Sequence, residues 1–444
     1  MPWVGLTDPR TLPRVTVMTT PHSARARGAS PFLALLVLVF LAAPLLAQRP
    51  LGPRVLANSE LLDPDAPASP HAFACQPDGE CLLRWGFGGL ARIGANGAVR
   101  AQRALAWEDG WGALWPKPGG GFAVVLNRER EAEPFTVYEP WLLDFDGDLA
   151  PQGGGRLLRR PDGQYPFSYF SCAAPFGGGF VMGHGDVALG AKSVGIALSF
   201  FDAAGERLRT PVVVDSLLYR SVGLGFTEEE QWIEGLVVDP AREVLSVVYG
   251  RRRVLGRKTG LEGVFLRRYS LAAEALGEPL GGVQRLLAAE DDSTWLTVTS
   301  NARGEFALVW TPRHGDPLIV RRLDRHGRFT GPPFEVNPDR GTWQILPSAA
   351  LDDQGRLAVA WEQWYDESSC PTDRWSYLTA RLRVFDRENR SVGPPLALGC
   401  GYGVGWPKVH FSGHGVLLAA WEDDFKSETL GDRVWVRRFA VEEQ

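Results

Sequence analysis

The chain has 444 residues, 45% of them hydrophobic and 22% charged, with a formal net charge of −5 and an isoelectric point near 5.9. That length and apolar fraction can supply a large buried core, whereas the acidic balance argues against nucleic acid as a general partner, since phosphate recognition needs a basic face. Lysine fills only five of the 47 basic positions, and we read the arginine excess as compositional, with no role of its own.

From the N-terminus, Met18 to Ala47 reads MTTPHSARARGASPFLALLVLVFLAAPLLA: basic Arg25 and Arg27, an apolar run from Pro31, and small residues before Gln48. This is the pattern of a secretory signal peptide, which stands apart from the fold. The apolar run, about 16 residues broken by Pro44, is short of the roughly 20 that a membrane span needs. The expected organisation is an N-terminal extension and signal peptide over 1–47, followed by a single folded unit over 48–444. Nothing after Gln48 is long and apolar enough to span a bilayer as a helix, so the mature protein is expected outside the cell or in the periplasm, without a membrane span.

The first folded segment, Pro50 to Leu62, carries an isolated VLANSELL run. Cys75 and Cys81 then flank QPDGE, a turn between two strand-like runs. Non-hydrogen-bonded pairs across a hairpin bring Cα atoms to about 4.5 Å, which is disulfide range. A second bridge, Cys370 to Cys400, is expected between neighbouring loops, and Cys172 in YFSCAAP is left as a buried thiol.

Beyond Cys81 a strand signature recurs through the chain. Its clearest copies are GEFALVW (Gly304 to Trp310), GRLAVAW (Gly355 to Trp361) and GVLLAAW (Gly415 to Trp421). Degraded copies end at Trp85, Leu126, His184 and Tyr249, and the seven endpoints have a mean spacing of 56 residues. Around each lie an apolar strand, a glycine turn, the signature strand, a variable loop, a strand ending in aromatic or Leu plus Asp, a second glycine turn and a short last strand. Four antiparallel strands per repeat make a propeller blade, and the repeat outranks local motifs in deciding the fold. The expected fold is all-β: one seven-bladed β-propeller of four-stranded antiparallel blades. The last blade, with strands near Lys408 to Phe411, Val416 to Trp421 and Val434 to Ala440, is one strand short. The N-terminal segment Pro50 to Leu62 is expected to complete it and close the ring, which removes exposed edges.

Gly304 to Asn337, containing LVW, VRRLDRHG and GPPFEVN, resembles the repeat of a broad group of secreted bacterial β-propellers whose unit reads VVW, then RRFD-x-x-G, then G-x-P-F-x-VN. The resemblance implies the fold and an exported location and supplies no catalytic residues. The chain departs from sialidases in lacking the S-x-D-x-G-x-x-W turn box, of which Asp352-Asp353-Gln354-Gly355 is the nearest approach.

Propeller topology sends second-to-third-strand loops and blade-to-blade loops to one face and the tight glycine turns to the other. The long aromatic and acidic stretches all fall on the first face, where a rigid scaffold presents variable loops. Its candidate ligand-binding residues are Trp111, Trp232, Trp364, Tyr365, Asp366, Trp375, Tyr402, Trp406, Glu422 and Asp424. The blade-end tryptophans Trp310, Trp361 and Trp421 are read as packing between blades. Asp144-Phe145-Asp146-Gly147-Asp148 spaces its carboxylates like a calcium loop but falls where the other repeats have a plain turn, so no metal is assigned. The near-phosphate-loop Gly185 to Lys192 lacks the right spacing and a helix, and no cofactor is called for. The function expected is a binding or interaction module for a glycan or protein ligand, acting as a monomer. The alternative is an exported glycosidase-like enzyme drawing on carboxylates near the axis, such as Glu362, Glu422 and Asp424.

Overall fold

The computed structural model describes residues 48–58, 69–86, 89–105, 112–132, 135–158, 170–186, 193–218, 221–222, 225–226, 229–255, 258–288, 295–312, 316–338, 342–364, 378–401, 404–413, 415–423 and 433–441. They form a seven-bladed β-propeller in which each blade is an antiparallel sheet, with strands in chain order in all but the last, whose outer edge comes from the N-terminus. Innermost strands are Pro70–Cys75, Gly112–Pro116, Phe170–Phe176, Glu229–Asp239, Trp295–Ser300, Trp343–Leu351 and Gly405–Phe411. Each touches the next, and the seventh touches the first, which closes the ring.

The second strands carry the repeat: Cys81–Trp85, Phe122–Ala132, Gly179–Asp186, Val244–Leu255, Phe306–Thr311, Leu357–Trp364 and Val416–Asp423. Sandwiched between neighbouring blades, such a strand has no solvent face, so its sequence is a continuous apolar run. Leu357 to Trp361 and Leu417 to Trp421 are all buried. Alanines at 358, 360, 419 and 420 let the sheets approach, while Trp361 and Trp421 fill the space near the strand ends. These tryptophans are fully buried, as expected of packing residues.

The short turns share one geometry. In Asp202, Asp324 and Asp352, a side-chain oxygen accepts the backbone N–H groups two and four residues on, and the glycine three residues on donates back to the same residue's carbonyl. Asn301 does the same. Asp146, in the run that resembles a calcium loop, likewise accepts the N–H groups of Asp148 and Ala150 and so acts as a turn residue. The glycine is required where φ is positive, as at Gly304 (φ +75°), where a Cβ would also lie 2.6 Å from the Cβ of Asp239 in the preceding blade. Asp239 is in turn gripped by Arg325 through both carboxylate oxygens, at 2.8 to 3.0 Å.

The N-terminal segment completes the last blade. Gln48–Pro50 pairs with Phe439 to Val441, and Val55–Leu56 pairs with Trp435 and Val436. The closing strand thus begins before Pro50 and comes in two short pieces, because Gly52-Pro53 interrupts the ladder; residues 59–62 lie outside the described residues. Asn58 accepts the Val434 N–H at 3.0 Å, and Arg54 lies 4.1 Å over the Trp435 ring while reaching Asp423 at 3.5 Å.

Arginine has a structural role that the sequence reading did not give it. Arg322 donates to the carbonyls of Gly355 and Asp386 in the next blade, Arg383 to that of Val336, Arg267 to that of Val214 and Arg103 to that of Leu149. A planar fork of N–H donors suits such inter-blade contacts.

Cys75 and Cys81 form a disulfide across the first hairpin, with Cα atoms 4.0 Å apart. Cys172 is a free thiol that burial pushes well above its ordinary pKa. Cys370 and the side chain of Cys400 lie outside the described residues.

Candidate functional site

Every inner strand runs from the long-loop face towards the tight-turn face, so inner-strand starts gather around the axis on the former. Three consecutive blades place an exposed indole there. Trp295 and Trp343 open the fifth and sixth inner strands, at 39% and 42% exposure, and Trp406 is second in the seventh, at 38%. Trp343 pairs across the sheet with Trp364, their ring centroids 5.7 Å apart and tilted by 35°. Trp364 is therefore the last residue of a strand, where the sequence reading had it in a loop.

Behind these rings lies a set of inter-blade clasps. The residue after each late blade tryptophan reaches the start of the next blade. Thr311 donates to the Gln344 carbonyl at 2.9 Å, Glu362 accepts the Trp406 N–H at 2.6 Å, and Glu422 accepts the Ser69 hydroxyl at 2.6 Å. Glu362 is 4% exposed, and burial pushes its pKa up to about 7 against the opposing pull of the Trp406 N–H and the Lys408 charge. Lys408 is itself driven down by burial, partly offset by Glu362. His71 of the first blade is lowered to about 3 by burial and by the charges of Arg84 and Lys408. Among the described residues, this end of the axis presents exposed indoles with the carboxyl groups of Glu362 and Glu422 held behind them.

Of the residues singled out from the sequence, Trp364, Trp406 and Glu422 come to this end of the axis. Trp232 is half-buried in the fourth inner strand, flat against Gly250, with its Nε1 bonded to Glu234. Trp111, Tyr365, Asp366, Trp375, Tyr402 and Asp424 lie outside the described residues. Lys408 and His410 were missed, although polar residues at every second position of an inner strand were the available signal. Their neighbour Val409 packs into the core with the sixth blade.

A second concavity opens on the opposite face. A cavity of about 650 Å³ is bordered by turns of the fifth, sixth, seventh and first blades and includes Gln76, Ser300, Leu351, His410 and Phe411. Burial lowers His410 to about 4, so its imidazole is uncharged at neutral pH. The charged groups at the rim are engaged: Asp352 pairs with Arg356 at 2.6 Å, and Asp353 accepts the Ala302 N–H at 3.0 Å.

No protein-family profile and no curated protein matches the sequence. Several solved structures are similar in fold. The β-propeller domain of the Trilobed protease from Pyrococcus furiosus, described as having an open velcro topology, is 9% identical with a TM-score of 0.43, over 85% of this chain and 96% of that one. A protein of unknown function from Dyadobacter fermentans is 11% identical with a TM-score of 0.46, over 89% and 100% of the two chains. The α-L-arabinofuranosidase of Fusarium graminearum in complex with arabinobiose is 10% identical with a TM-score of 0.43, over 73% and 92%. Likeness at this level says nothing about ligand or activity.

Proposed function

We propose that this propeller is an exported binding module that engages a glycan through its long-loop face. The observation that carries the reading is the exposure of Trp295, Trp343 and Trp406 on three consecutive blades at one end of the axis. Large exposed rings in a group mark an interaction surface. Indoles pair an apolar face with a polar N–H, which suits sugar rings, whose C–H faces stack while their hydroxyls seek acceptors. The Cys75–Cys81 disulfide and the leader-like Met18 to Ala47 support an oxidising, exported setting. Of the carboxylates that a glycosidase would draw on, Glu362 and Glu422 are committed to bonds between blades, and Asp424 lies outside the described residues.

Affinity electrophoresis through gels containing soluble neutral and acidic polysaccharides tests the reading. Wild-type protein should be retarded by at least one of them, and Trp343→Ala should weaken that retardation about tenfold without changing the melting temperature. Retardation by none, or an unaffected Trp343→Ala, would remove the glycan assignment.

A further inference from the structure

Trp406 is held in a conformation that an exposed aromatic does not adopt unaided. Its φ is +49°, in the left-handed region that residues other than glycine seldom enter. It sits in a bulge where the register between inner and second strands shifts between Gly405 and Lys408. The sixth blade has the same device: Leu346, also at φ +49°, precedes Pro347 inside the bulge between Ile345 and Ser348, just as Trp406 precedes Pro407. The bulge is therefore part of the scaffold, while the exposed indole on it belongs to the seventh blade. Bulges near rims re-aim side chains, and strain persists only where neighbours enforce it.

In the seventh blade the bulge is also gripped from the adjacent blade. The Trp406 N–H donates to Glu362 Oε1 at 2.6 Å, and the carboxyl reaches it only because residue 405 is glycine, where a Cβ would stand 2.5 Å from that oxygen. In the preceding blade the corresponding clasp has the opposite polarity, with the neutral Thr311 hydroxyl donating to the Gln344 carbonyl. A carboxyl here brings the cost of a buried ionisable group, and its ionised form is the stronger acceptor.

We propose that Glu362 is a positioning residue which holds Trp406 in its presented conformation, with the indole set to stack on a sugar ring, and that this hold tightens as the carboxyl ionises. The identity of what stacks rests on the glycan reading; the positioning does not. Lys408, on the same inner strand as Trp406, and the side chain of Trp364 both act on Glu362, His71 of the first blade feels the charges of Lys408 and Arg84, and Glu422 stands across the ladder from Gly405. His71, at about 3, keeps its charge state through the neutral range.

The test is fluorine NMR of the full chain carrying 5-fluorotryptophan, with the residue 406 resonance assigned by Trp406→Phe. In wild type that resonance should shift with a midpoint near pH 7, the pKa of Glu362. Glu362→Gln keeps a carbonyl acceptor and should leave the resonance near its wild-type position without a titration, whereas Glu362→Ala should displace it. A resonance indifferent to Glu362→Ala, or a titration that survives in Glu362→Gln, overturns the proposal. Should the alanine variant fail to fold, the glutamine titration alone decides. Retardation by the polysaccharide found above should be several-fold stronger at pH 8 than at pH 6 in wild type and flat in Glu362→Gln. Absence of retardation alongside a positive NMR titration would overturn the glycan reading and support the positioning.

Discussion

Gln48 stands opposite Val441 across an antiparallel ladder, so strands from opposite ends of the described chain bond directly to each other. The contact continues through Leu51, which donates to Arg438, and Ala57 and Asn58, which clasp Val434. A chain beginning at Pro64 should lose these bonds, each worth about 1 kcal/mol, and expose the edge of Arg433–Val441. We expect the melting temperature to fall by roughly 5 °C or more, read by calorimetry. An unchanged cooperative melt would show that the ring does not depend on terminal closure.

Trp361 and Trp421 are fully buried, whereas Trp343 is 42% exposed. Replacing either buried residue by alanine should cost about 3 to 5 kcal/mol in denaturant unfolding. Trp343→Ala should cost under about 1 kcal/mol. Equal losses at all three positions would mean that Trp343 belongs to a loop core and not to a binding surface.

Much of this contrast was legible in the sequence, and the reason is local. A strand buried on both faces must be apolar throughout, so Gly355 to Trp361 announces itself, and even the degraded copy ending at His184 lies in a strand, Gly179–Asp186. The Cys75–Cys81 bridge was legible because a short turn fixes which residues face each other. What could not be read depends on contacts between blades. Glu362 and Trp406 are 44 residues apart, and no local pattern marks them as partners. Trp364 was misplaced into a loop because its strand is extended by pairing with Trp343 and Leu378, which lie outside the repeat signature. The closing strand was found but placed late, since Gln48–Pro50 is too short to show alternation.

Burial raises Glu362 from an ordinary 4.5 to about 7, so between those values the folded state holds a proton that the unfolded chain releases. Its contribution is complete below pH 4.5 and is lost as pH rises towards and through 7, by an amount of about 3 kcal/mol. Glu362→Gln should therefore gain stability relative to wild type between pH 5 and pH 8 in urea unfolding. A constant difference between the two proteins across that range would refute the assignment.

Arg322 spans two carbonyls of the next blade, those of Gly355 and Asp386, and burial lowers its pKa to about 10. Arg322→Ala should cost about 2 to 4 kcal/mol, because two part-buried acceptors lose their donor. Arg322→Lys should recover less than half, since one ammonium cannot reproduce the fork. Full rescue by lysine would show that charge, not geometry, matters there.

Cys172 is partly buried with its thiol pushed up, while Cys75 and Cys81 are bridged. Non-reducing peptide mapping should recover the 75–81 bridge, and iodoacetamide should reach Cys172 only after denaturation. The same map tests the proposed Cys370 to Cys400 bridge. Recovery of Cys172 in any disulfide would contradict the register of its strand against Gly183.

The pairing of Gln48 with Val441 also decides how the molecule responds to force. The two partners enter the ladder from the same end, so tension between the chain termini acts across the strands and not along them. It loads one hydrogen bond at a time, first at Val441, then along to Arg438, and then at Val436 and Trp435 once the interruption at Gly52-Pro53 is passed. Pulling on the ends should therefore peel the ring open in small, low-force steps, whereas pulling along a second strand such as Leu357–Trp364 would have to shear a ladder on each side at once. Single-molecule extension from the two kinds of attachment point would separate them by the height of the first force peak.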